Sequence, residues 1–194
     1  SRKQLHCLTG HDGAVQALAL AGDILVTGSS DCTVKAWNIC TGALLRTFNG
    51  HGDSISKVAL QDNAALLVTT SVDKQTKIWN VIQGDLLFAL TGHALHVSAM
   101  LLRMDNLITG SLDGTVRSWK LSTGRPQHTF KHHQDGITEM VLDGDTLVSA
   151  SDDCTAVAWD VRSGKLVQIF SSHSMPIWSI ALQGDTLITA SMDE

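Results

Sequence analysis

The sequence predicts an all-β fold assembled from repeated four-stranded antiparallel sheets. Three observations carry that prediction. Four tryptophans, Trp37, Trp79, Trp119 and Trp159, are spaced by 42, 40 and 40 residues, a fixed period of the size that repeat architectures use. Six residues before each stands an aspartate, Asp31, Asp73, Asp113 and Asp153, and two before each aspartate a serine, Ser29, Ser71, Ser111 and Ser151. A histidine opens each unit, His11, His51, His93, His133 and His173, and the histidine-to-tryptophan spacing is 26, 28, 26 and 26. Ser191 and Asp193 continue the series past the last tryptophan.

The hydrophobic pattern inside a unit is that of short strands. In the first, Val15 to Leu20 is one apolar run, Gly22-Asp23 a two-residue turn, and Ile24 to Thr27 a second run, which together predict a hairpin. Gly144-Asp145 and Gly184-Asp185 repeat the turn. Val34 to Ile39 makes a third strand, Thr41-Gly42 a turn, and Leu44 to Phe48 a fourth. Each unit is therefore a meander of strands a, b, c and d. The second unit carries two extra residues between 61 and 65. No run has both the length and the 3.6-residue period of a helix.

The register divides the chain into a strand d of a preceding blade at 1–8, repeats at 9–48, 49–90, 91–130 and 131–170, and a partial repeat at 171–194. A sheet with two apolar faces cannot bury both by itself. Radial stacking of such sheets does so, which makes the predicted architecture a β-propeller with four complete blades and partial strands at both ends. A β-solenoid is the weaker alternative, because its repeats are shorter. The count implies an incomplete ring. The expectation is a segment of a larger propeller whose remaining blades belong to the same parent chain, with a small five-bladed ring as the competing reading.

Gly10-His11, Gly50-His51 and Gly92-His93, each followed by a tryptophan-closed strand c, resemble the WD-repeat (WD40) family. The closing dipeptides are Trp37-Asn38, Trp79-Asn80, Trp119-Lys120 and Trp159-Asp160, of which only the last is a literal Trp-Asp. His132 and Ser172 replace the glycine before His133 and His173. The resemblance covers nearly the whole chain. It implies a hydrogen-bonded tetrad in each blade: Trp37, Ser29, His11 and Asp31 in the first, then Trp79, Ser71, His51 and Asp73, then Trp119, Ser111, His93 and Asp113, then Trp159, Ser151, His133 and Asp153. It also implies a non-catalytic scaffold that binds partner proteins. The short repeats with tight hairpins are reminiscent of the propellers of F-box proteins.

Taken alone, serine, histidine and aspartate suggest a hydrolase triad. Their recurrence in every unit argues against it, since an active site is not built once per structural repeat. No Gly-x-Ser-x-Gly elbow and no phosphate-binding Gly-x-x-x-x-Gly-Lys loop occurs. The reading is no catalytic residue, no cofactor and no metal site. His128, His132 and His133 cluster in sequence, but His133 is claimed by its tetrad and no obvious further ligand stands beside them.

Composition excludes other classes. With 194 residues, 43% hydrophobic and 17% charged, the chain is not a disordered segment. No apolar run reaches the roughly 18 residues of a membrane-spanning helix, and residues 1–10 lack a signal-peptide pattern. A net charge of −5 disfavours nucleic acid as a partner. Cys7, Cys32, Cys40 and Cys154 form no Cys-x-x-Cys pair, and free thiols point to the cytoplasm or nucleus.

If the tetrads are scaffold, a partner site must lie where the repeats differ. The d–a and b–c loops share one face, the top. In the slot before the turn aspartate stand Ser30, Val72, Leu112, Asp152 and Met192, three of them apolar. Leu95 and Met175 are apolar on the d–a loops, and Trp178 stands where other units carry Gln16, Ser56, Ser98 and Thr138. Val72, Leu95, Leu112, Met175, Trp178 and Met192 are therefore the candidate partner-binding residues. The expected function is a protein-interaction scaffold. The alternative is a recognition propeller within a larger enzyme complex, such as a ubiquitin ligase or a signalling ATPase.

Overall fold

The structure is a computed structural model that describes residues 4–61 and 64–193. Its described residues form eighteen strands and no helix. They fall into two compact units, Ser1–Gly92 and His93–Glu194.

The first unit holds two blades. One is β1 (Val15–Ala21), β2 (Ile24–Ser29), β3 (Val34–Asn38) and β4 (Leu44–Phe48); the other is β5 (Ile55–Leu60), β6 (Leu66–Ser71), β7 (Thr76–Asn80) and β8 (Leu86–Leu90). The second unit holds β9 (Val97–Arg103), β10 (Asn106–Ser111), β11 (Thr115–Lys120) and β12 (Arg125–Lys131), then β13 (Ile137–Asp143), β14 (Thr146–Ser151), β15 (Ala156–Asp160) and β16 (Lys165–Phe170). A two-stranded sheet, β17 (Ile177–Gln183) and β18 (Thr186–Ser191), follows. All pairings are antiparallel between consecutive strands, as a meander requires.

Within each unit the blades stack through their first strands. β5 packs on β1 and β2, β13 on β9 and β10, and β17 on β13 and β14. Strand b is consequently covered on both faces: β6, β10 and β14 are buried along almost their whole length, while β4, β8 and β16 are mostly exposed at the outer edge. That contrast fits strand b, a continuous run of apolar and small residues, and the outer strands β4 and β16, which admit Arg46 and Lys165. The tryptophans join blades as well as filling them. Phe48 of the first blade meets the Trp79 ring edge-on at 5.7 Å, and Phe130 meets Trp159 at 5.4 Å. Such aromatic pairs add to the burial of the rings.

Strand a carries a feature the alternating pattern hides. The register slips between Val15 and Ala17, Ile55 and Lys57, Ile137 and Glu139, and Ile177 and Ser179. The slot of Gln16, Ser56, Thr138 and Trp178 is thus a β-bulge, which bends the strand and re-aims its side chain.

The expected edge strand at 1–8 is corrected in part. Residues 1–3 lie outside the described residues, and residues 4–10 are irregular. A strand needs a paired neighbour for its backbone groups, and none of the described strands pairs with this segment. The segment nonetheless occupies the strand-d position. His6 Nε2 lies 3.1 Å from the Cys40 carbonyl, as strand-d Arg46 Nε donates to Ile82 O at 2.8 Å. His6 and Arg46 are the same repeat slot.

Candidate protein-interaction rim

The d–a loop and the b–c turn of each blade meet through a buried relay. In the first blade, the Trp37 indole N–H donates to Thr27 Oγ1 at 2.8 Å, Thr27 Oγ1 lies 2.8 Å from His11 Nε2, and His11 Nδ1 lies 2.8 Å from Asp31 Oδ2. The same chain runs Trp79–Thr69–His51–Asp73, Trp119–Thr109–His93–Asp113 and Trp159–Ser149–His133–Asp153. In the partial repeat, His173 bridges Thr189 and Asp193.

The hydroxyl in this relay corrects the sequence expectation, which placed Ser29, Ser71, Ser111 and Ser151 there. Register decides. Leu25 lies opposite Trp37, Leu67 opposite Trp79, Leu107 opposite Trp119 and Leu147 opposite Trp159. Two residues along strand b, Thr27 is the diagonal neighbour of the ring; Ser29, two further on, is ~13 Å from the pairing point at about 3.3 Å per residue. The serines do other work. Ser71, Ser111 and Ser151 donate to the carbonyls of Asp53, Leu95 and Asp135 on the d–a loop and accept the backbone N–H of the turn aspartate.

Donor chemistry gives the relay one direction. Indole is a donor only and carboxylate an acceptor only, so the hydroxyl donates to Nε2 and the neutral imidazole donates from Nδ1. Burial holds His51, His93 and His133 below the usual histidine range, against the pull of their partner carboxylates. The aspartates stay ionised. Burial works against the Asp153 charge, but hydrogen bonds from Thr155, the Gln134 N–H and His133 outweigh it and bring the carboxyl down to about 2. Asp31, Asp73 and Asp113 shift the same way, each receiving backbone N–H groups from both loops. Each group of the relay is held by partners of its own blade, and His51, His93 and His133 are buried. The relay is a clamp.

The clamp presents the apices of the rim. Val72 N donates to Ser54 O, Leu112 N to His96 O and Asp152 N to Gly136 O, each within 3.0 Å. Val72, Leu95, Leu112, Met175 and Met192 are exposed. Leu112 also leans over the neighbouring loop: a Cβ added at Gly136 would stand 2.9 Å from its Cδ2. Trp178 is 63% exposed, but its slot borders a seam between blades. At that bulge, Ser98 donates to Ile137 O and Thr138 to Ile177 O, each on the first strand of the next blade. The clustered histidines separate in role: His133 sits in the clamp and His128 Nε2 contacts the Arg162 carbonyl at 3.1 Å. Among the described residues the four cysteines are free thiols.

Sheets of four antiparallel strands, stacked through strand a and clamped by a Trp–hydroxyl–His–Asp relay, define a β-propeller repeat protein. The chain belongs to the WD-repeat family. The profile of the family described as "WD domain, G-beta repeat" matches residues 2–38, 42–80, 84–120 and 124–160. Among curated proteins, it is 46% identical over 56 residues to Cell division control protein 4 of Saccharomyces cerevisiae, covering 28% of this chain and 7% of that protein. It is 43% identical over 60 residues to WD repeat domain-containing protein 83 of Rattus norvegicus, covering 30% and 19%. It is 49% identical over 47 residues to the Probable E3 ubiquitin ligase complex SCF subunit scon-2 of Neurospora crassa, covering 24% and 7%. The alignments thus span less than a fifth of each relative. Among solved structures, the computationally designed Ika8 protein superposes with a TM-score of 0.86 at 28% identity, over 94% of this chain and 57% of that one. The designed Ika4 protein gives 0.77 at 30%, over 83% and 99%.

Proposed function

We propose that the chain is a non-catalytic protein-interaction scaffold whose rim of d–a and b–c loops receives partner proteins or peptides. The family is generally of this kind. The observation that carries the reading is the exposure of Val72 in the first unit, and of Leu95, Leu112 and Met175 in the second, on apices whose backbone the clamps hold in place. An apolar side chain on a fixed apex gains nothing unless a partner covers it. The free thiols favour a cytoplasmic or nuclear setting. The face of β17 and β18 that carries Trp178 and Ile188 repeats the face on which Val148 of β14 is buried; in this reading further blades of the parent chain cover it.

A second reading makes the chain the substrate-recognition part of a larger enzyme complex. Its support is the similarity to scon-2, whose name describes a ubiquitin ligase subunit.

Pull-down with the parent protein tests the rim. Leu112→Asp with Met175→Asp should abolish recovery of a rim partner while circular dichroism stays that of the wild type. Recovery of every partner by the folded variant would exclude the rim.

A further inference from the structure

We propose that the groove between the third and fourth blades, on the rim opposite the clamps, binds an acidic peptide segment. This goes beyond the loop-rim reading and does not depend on it.

The repeat supplies an internal control. The corresponding groove of the first unit is a cavity of about 240 Å³ lined by Ile24, Leu45 and Ile82, with Arg46 bonded to the Ile82 carbonyl. In the second unit the slots of Ile24, Leu45 and Ile82 hold Asn106, Gln127 and Arg162, and the cavity measures about 610 Å³. The slot of Arg46 holds His128, which keeps the same link to the facing carbonyl, that of Arg162. The contact that joins neighbouring blades is therefore retained, while the apolar filling is replaced by hydrogen-bonding groups around a larger space. Blade stacking does not call for that replacement, because the first unit stacks without it.

The donors fit a peptide with carboxylates. The carboxamides of Asn106 and Gln127, both exposed on the cavity wall, match backbone N–H and C=O groups. Arg103 gives one N–H to the Gly144 carbonyl at 3.3 Å, and no described carboxylate lies in ion-pair reach of it. Arg162 Nε holds Asp145 at 2.8 Å, yet its side chain is 80% exposed. Among the residues that line the cavity, two guanidinium forks stand against one carboxylate, Asp145, in a chain whose net charge is −5. Guanidinium matches carboxylate in bidentate geometry.

Met104 adds an apolar contact. It lies on the edge of the cavity, 81% exposed, at a hairpin tip where Gly22, Gly144 and Gly184 stand in three other blades. Its φ is 52°, a left-handed backbone that disfavours any side chain. Both the strain and the exposure are without return inside the chain. An apolar residue of a bound peptide, laid against Met104 and Val161, supplies that return.

The test titrates the full chain into a fluorescein-labelled peptide of alternating Glu and Leu, read by fluorescence polarisation. Arg103→Ala with Arg162→Ala should weaken binding by at least about ten-fold, as should replacing each Glu of the peptide by Gln, because charge-assisted hydrogen bonds are lost. The rim variant Leu112→Asp should bind unchanged, which separates this site from the loop rim. Circular dichroism checks the fold of each variant. No binding of the peptide, or equal affinity for the double variant or the Gln peptide, overturns the proposal. Displacement of the peptide by inorganic phosphate at equal concentration also overturns it, showing a simple anion site.

Discussion

Ser149 Oγ accepts the indole N–H of Trp159 at 2.9 Å and lies 2.9 Å from His133 Nε2. Thr69 and Thr109 fill the same slot in their blades, with both contacts within 2.9 Å. One hydroxyl therefore completes two buried rings at once, and its loss strands a donor on one side and an acceptor on the other.

Thr109→Val keeps shape and removes only that hydroxyl. It should destabilise the protein by about 2–3 kcal/mol, since the Trp119 N–H and His93 Nε2 are buried out of reach of water. Ser111→Ala should cost about 1 kcal/mol, because the Leu95 carbonyl and the Asp113 N–H that it leaves lie nearer the rim, where water replaces the hydroxyl. Urea midpoints of the two variants measure the difference. A larger loss for Ser111→Ala would put the serine, not the threonine, at the centre of the clamp.

Acid should weaken the fold in two stages. His51, His93 and His133 titrate lower in the folded chain than the ordinary 6.5, so the unfolded chain takes up their protons first. Stability is then full above about pH 6.5 and falls as the pH drops below it. The clamp carboxylates form the second stage. Asp153 and Asp193 titrate at about 2 against an ordinary 3.8, so their contribution is present above pH 4 and is lost between about pH 4 and 2. Unfolding midpoints from pH 8 to pH 2.5 display both. A flat profile between pH 7 and 5 would contradict the buried neutral histidines.

Cys154→Gly should stabilise. Cys154 holds φ 69° in the b–c turn, where the third blade has Gly114 at 73°. Relief of left-handed strain, worth about 1–2 kcal/mol, exceeds the extra chain entropy of glycine, about 0.5–1 kcal/mol. The expected gain is a few tenths to about 1 kcal/mol in thermal unfolding. A lower melting temperature would show that the thiol contributes packing that its 3.8 Å contact to the Asp152 carbonyl does not reveal.

Gly110→Ala should destabilise by about 1–3 kcal/mol, the cost of an overpacked core. A Cβ there would stand 2.7 Å from Ile137 Cγ2 and 3.1 Å from Met140 Sδ, both on the next blade. The fourth blade has Ala150 in this slot, buried against its own neighbour. Differential scanning calorimetry of Gly110→Ala gives the sign. An unchanged melting temperature would mean that the two blades separate without cost.

Most of the blade was legible in one dimension. Hairpin turns at Gly22-Asp23, Gly144-Asp145 and Gly184-Asp185, and tryptophan at fixed spacing, specify strands and their order, because turn chemistry and hydrophobic period act locally. The pairing of His11 with Asp31 was also legible, since a meander brings the d–a and b–c loops to one face. The relay hydroxyl is not legible in the sequence, for a physical reason. Serine recurs invariantly at 29, 71, 111 and 151, whereas the relay slot alternates between threonine (Thr27, Thr69, Thr109) and Ser149 two residues away on the same face, so repetition alone favours the serine.

The repeat, the four-stranded blade, the order of its strands and the identity of its buried tryptophans and loop histidines are all written in the amino-acid sequence. These follow from local turn geometry and from a repeat period of about 40 residues. Which hydroxyl the indole reaches, that the slot of Trp178 is a bulge facing a seam, and that Asn106, Gln127 and Arg162 line one groove with Arg103 emerge only in the folded chain. Those are matters of cross-strand register and of contact between blades about 40 residues apart, and neither is encoded in the spacing of residues along a single strand.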